Sequence, residues 1–96
     1  MSERTAPALA KLDTLIPRLK ALAAGPVQPQ LVEEAEALRR AVAAFHMEAI
    51  RFRMHSVDRL LKQTGDTLAV QLFEELRHEL EAAGFHTRSH AAPDKA

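Results

Sequence analysis

Residues 45–55, Phe-His-Met-Glu-Ala-Ile-Arg-Phe-Arg-Met-His, gather the side chains of this sequence with the most chemistry. His46-Met47 and Met54-His55 make a near-palindromic frame. Two such helices crossing antiparallel, with the axis between Ile50 and Arg51, would bring Met47 to a second chain's Met54 and His46 to its His55. Imidazole and thioether donors together suit copper or haem iron, which makes His46, Met47, Met54 and His55 the candidate metal ligands. His46 also lies on a second line, with Arg39 and Arg53, each seven residues apart and so nearly on one helical face. Two guanidinium forks with an imidazole between them suit a carboxylate or phosphate, so Arg39, His46 and Arg53 are the candidate ligand-binding residues. Apolar residues flank this line, and buried cations demand an answering charge. The plainer expectation is therefore an acidic side chain from the third helix or from a second chain.

Other motifs carry less. Glu75-Leu76-Arg77-His78 has the Glu-x-x-His spacing that resembles one half of a ferritin-like di-iron site. On a helical wheel, however, Glu75 lies at the border of the Leu72/Leu76/Leu80 face and His78 nearly opposite that face, and no second carboxylate helix is evident. His86 and His90 follow Gly84 in a polar tail, where adventitious nickel or zinc binding is the expected consequence. No Ser, Cys or Asp completes a nucleophilic triad, so no catalytic residue is assigned and no cofactor is expected.

Composition narrows the class further. The 96 residues fit one domain, and the absence of Cys excludes a disulfide scaffold and thiolate metal sites. Thirteen basic and thirteen acidic side chains cancel, leaving no overall field for nucleic acid or an anionic membrane. No apolar run approaches the ~18 residues of a membrane span. A cytoplasmic protein is the expectation, with neither nucleic acid nor membrane as partner.

The elements that must position these residues read as helices throughout, because apolar positions recur at three and four. Leu9, Leu12, Leu15, Ile16, Leu19 and Leu22 stripe the first, which contains Pro17, a site for a kink or break. After Pro29 no Gly or Pro occurs until Gly65, which predicts a long central helix over about 30–64. Gly65 suits its left-handed end, and Asp66 suits the cap of a third helix that Gly84 stops. The expected fold is all-α, short–long–short, in a single domain over 1–85 followed by a polar tail over 86–96. That helix order resembles the histone fold, yet wrapping DNA needs a strongly basic surface that zero net charge does not provide.

Length then argues for two chains. A 35-residue helix is ~52 Å long, against ~34 Å for a compact chain of this size. The central helix also carries two apolar stripes. One runs through Leu31, Ala35, Leu38, Val42, Phe45, Ala49, Phe52 and Leu60. The other, confined to the C-terminal half, holds Ala43, Met47, Ile50, Met54, Val57 and Leu61. The second stripe predicts a homodimer interface at Met47, Ile50, Met54, Val57 and Leu61. The functional expectation is a small dimeric protein-interaction module without catalytic activity. The alternative is a small-ligand or metal-binding bundle. If dimerisation uses the second stripe, the polar band of Glu48, Arg51, His55 and Arg59 is the next place for a protein partner.

Overall fold

The computed structural model describes residues 4–85, and every regular element among them is helical: α1 (Ala6–Lys20), α2 (Val27–Ala43), α3 (Met47–Leu61) and α4 (Thr67–Ala82). The tail expected over 86–96, with His86 and His90, lies outside the described residues. The all-α class agrees with the sequence pattern, whereas the helix count is corrected. The expected central helix over 30–64 is two helices that fold back on each other at Ala44–His46.

The reversal has a local cause. Phe45 adopts a left-handed backbone (φ 62°). The His46 N–H donates to the Ala41 carbonyl at 3.0 Å and the Phe45 N–H to Val42 at 3.1 Å. Those two bonds are the Schellman termination of α2, with Phe where glycine is usual. The Phe45 ring meets Phe85 edge-on at 5.2 Å, and the Arg4 guanidinium lies 5.6 Å from its centroid. These tertiary contacts override a local preference for continued helix. Extended His46 then opens α3, its carbonyl accepting from the Ile50 N–H at 2.9 Å.

Folding back changes which stripe faces inward. In α2 the buried residues are Leu31, Ala35, Leu38, Ala41 and Val42; in α3 they include Ile50, Met54, Val57, Leu60 and Leu61. The second stripe, expected to meet another chain, is thus covered by its own chain, apart from exposed Ala43 and from Met47, which is 49% exposed. Phe45 and Phe52, expected in the first stripe's core, are 45% and 60% exposed. The dimensions of 35 × 34 × 19 Å hold no ~52 Å spine, so the length argument for a dimer lapses.

Helix α1 packs against both α2 and α4, α2 packs against α3, and α3 barely touches α4. Its residues Ala8, Leu12, Leu15, Ile16 and Leu19 line the centre of the core. It runs on through exposed Pro17 without a break. Helix α2 starts at Val27, ahead of the expected start after Pro29, because a proline in the first turn forfeits no intrahelical bond. Gly65 is left-handed (φ 70°) and Asp66 caps α4, its carboxylate accepting from the Ala69 N–H at 2.9 Å. At the far end of α4, Phe85 donates its N–H to Leu80 at 2.9 Å and Gly84 to Glu81 at 3.0 Å, the second Schellman motif.

Candidate functional site

Ion pairs stitch the helices together and absorb most of the cations singled out by spacing. Arg39 donates Nε to Asp13 of α1 at 2.7 Å, and Arg53 donates Nη1 to both carboxylate oxygens of Glu34 at 2.8 and 3.0 Å. The answering acids therefore come from α1 and α2, not from the helix after Gly65 or a second chain. Arg18 grips Asp66 through two bonds at 3.1 and 2.7 Å, and Lys11 reaches Glu75 at 3.0 Å. These contacts hold the carboxyls of Asp13, Asp66 and Glu75 below their ordinary range, chiefly through the side-chain hydrogen bonds from Arg39, Arg18 and Lys11. The Ala69 N–H adds to the effect at Asp66 and the Gln71 amide to that at Glu75.

The arginine–histidine line is not a shared site. Arg39 sits on α2 and Arg53 on α3, each engaged by a different carboxylate, and exposed His46 stands in the turn between the two helices. The metal frame is also divided. Met54 is fully buried in the core, while His46, Met47 and His55 face water. His46 and His55 are nine residues apart, ~13 Å along a helix. Among the described residues, no group of three or more His, Cys, Asp or Glu is placed to hold a metal ion. No helix among them is long and apolar enough to cross a membrane.

Arg77, on α4, is the one charged side chain buried among the described residues. Its guanidinium lies 3.7 Å from Asp58 of α3, 3.3 Å from Glu74, and 5.1 Å from the Phe73 ring centroid. This is a structural tie across the loosest seam of the fold, where α3 and α4 hardly meet.

The outward face of α3 is different. Burial of Ile50, Met54, Val57 and Leu61 fixes the rotation of the helix, so Glu48, Arg51, His55 and Arg59 point away from the core at i, i+3, i+7 and i+11. Phe52 borders this row with 60% of its surface exposed, 5.1 Å beneath the Arg53 guanidinium. Glu48, Arg51, Phe52 and His55 line a shallow depression of ≈ 280 Å³. Arg51 and Arg59 have no ion-pair partner among the described residues, whereas Lys62, one turn on, pairs weakly with Asp58 at 3.2 Å. The face thus combines uncommitted positive charge with an uncovered aromatic ring. Sequence spacing marked its polar members but placed Phe52 in the core. The shift of the apolar stripe halfway along 30–64 is the signal that would have moved Phe52 outside.

A larger hollow of ≈ 510 Å³ lies where the α1–α2 and α3–α4 connections meet, lined by loop residues such as Gly25, Pro26 and Thr64. Its one charged lining residue, Asp66, is committed to Arg18 and to the α4 cap. Comparison with protein-family models, curated proteins and solved structures finds no match.

Proposed function

We propose that this chain is a small helical protein-interaction module that uses the outward face of α3 to dock an acidic helical segment bearing an apolar side chain. The observation that carries the reading is Phe52, 60% exposed beside a row whose arginines, Arg51 and Arg59, have no ion-pair partner among the described residues. A large aromatic held in water is costly unless something covers it, and aromatic and arginine side chains anchor interfaces. The partner's carboxylates answer Arg51 and Arg59, and its apolar residue covers Phe52 beside the depression. One helix face, ~22 Å long, is a small contact, which places the complex among weak, transient encounters.

The test is fluorescence anisotropy with a labelled amphipathic peptide, its acidic residues placed at helical spacing around a leucine. Binding weakens ~10-fold or more in Phe52→Ser and in Arg51→Glu/Arg59→Glu, and weakens with added salt as an exposed charge-steered contact must. Equal binding by wild type and both variants contradicts the proposal, as does equal binding of a basic peptide of the same pattern.

A further inference from the structure

Helices α2 and α4 both end in a Schellman motif, with different residue types at the left-handed position. The residue that must turn left-handed is Gly84 after α4 but Phe45 after α2 (φ 101° and 62°). A side chain with a Cβ is strained in that region, and for a bulky residue the conformation is a true outlier. Meanwhile 30–64 contains no glycine or proline, so nothing in the local sequence opposes a continuous helix through residue 45. The folded-back turn is therefore held by what packs around it, the α2–α3 seam and the Phe85 ring against Phe45, and not by its own backbone preference.

The position of the turn decides what straightening would do. It divides the chain into α1–α2 and α3–α4, and the contacts between these halves are the α2–α3 and α1–α4 packings. They include Glu34–Arg53, Lys11–Glu75 and Arg18–Asp66. Every one of them can re-form with the opposite half of a second copy, while the strain at Phe45 disappears.

We infer that the Ala44–His46 turn is an exchange hinge, through which two copies of this chain swap their α3–α4 halves and join α2 to α3 as one continuous helix. The partner is a second copy of this chain, recognised by the same core that closes the single chain. The outward face of α3 is retained in both forms, so this inference does not depend on the docking proposal.

Two variants isolate the hinge. Phe45→Ala and Phe45→Gly both remove the ring and its contact with Phe85, and they differ only in Cβ. Glycine accepts the left-handed turn and disfavours helix; alanine does the reverse. Two hinges straighten per dimer, so sedimentation equilibrium should give Phe45→Ala a dimer dissociation constant at least ~100-fold below that of Phe45→Gly. The chain has no cysteine, so spin labels enter cleanly at Glu33→Cys and Lys62→Cys. In a doubly labelled Phe45→Ala chain diluted with unlabelled Phe45→Ala, the intrachain distance in the dimer should be ~44 Å, against less than ~20 Å in the folded-back monomer. Equal dimerisation by the two variants overturns the inference. So does a dimer whose intrachain distance stays short, or a Phe45→Ala chain that is monomeric at millimolar concentration.

Discussion

Glu34 and Arg53 stand nineteen residues apart, ~28 Å on a straight helix, yet their side chains meet at 2.8 Å. That pair fastens α3 to α2 and records the reversal at Phe45. Arg53→Met strands the largely covered Glu34 carboxylate, and the expected loss is ~1 kcal/mol, discounted for the part of Arg53 that faces water. Glu34→Gln/Arg53→Met restores most of it, because no charge is then left without its partner. Urea denaturation of the two variants checks this, and a neutral single substitution contradicts it.

Stability should fall in acid, and the sign follows from the carboxylates. Asp13, Asp66 and Glu75 all titrate below their ordinary values of 3.8, 3.8 and 4.5 in the folded chain. The native state therefore binds fewer protons than the unfolded chain in this range. Their contribution is full above the ordinary values and is lost as pH falls through the lower folded ones. Denaturant midpoints should be level above about pH 5 and decline below about pH 4. Asp66→Asn should lower the neutral-pH midpoint and flatten the acid decline; an unchanged decline contradicts the role of the Arg18–Asp66 pair.

Arg77 is buried against Phe73 and shared between Asp58 and Glu74. Arg77→Ala removes packing as well as charge, and the expected cost is ~2 kcal/mol. Hydrogen exchange should quicken most in α3 and α4, whose slight direct contact leaves this side chain as their main tie. Uniform acceleration over all four helices would contradict that assignment.

Gly65→Ala and Gly84→Ala should differ in severity. Nothing lies within 4 Å of a Cβ at Gly65, so its φ of 70° alone sets a cost of ~1 kcal/mol. A Cβ at Gly84 would meet only the movable end of the Arg4 side chain at 2.9 Å, but its φ of 101° lies well beyond the left-handed basin, so its backbone cost should be larger. Thermal melts ranking the two the other way would contradict the geometry at the α4 end.

Much of this architecture was legible in the residues. Gly65, Asp66, Gly84 and Phe85 marked their caps because those motifs are local and need particular residue types. The break at Phe45 was not marked, since neither glycine nor asparagine stands there and the turn depends on Phe85, forty residues away. The pattern did hold an indirect sign. A helix whose apolar face moves from Leu38 and Val42 to Ile50 and Met54 has changed direction between them. The partners of Arg39 and Arg53 were beyond reach for a related reason. Asp13 and Glu34 become neighbours only when α1 and α3 are packed on α2. Of the candidate site, Glu48, Arg51, His55 and Arg59 were legible as a polar row, but the exposure of Phe52 beside them depended on the turn.

The most direct measurement is a titration of ¹⁵N-labelled protein with the acidic amphipathic peptide, followed by amide chemical shifts. Perturbations should concentrate at Glu48, Arg51, Phe52, His55 and Arg59, and should be lost in Phe52→Ser with the rest of the spectrum intact. No perturbation at millimolar peptide, or one centred on exposed Leu68 and Val70 of α4, would contradict docking on this face.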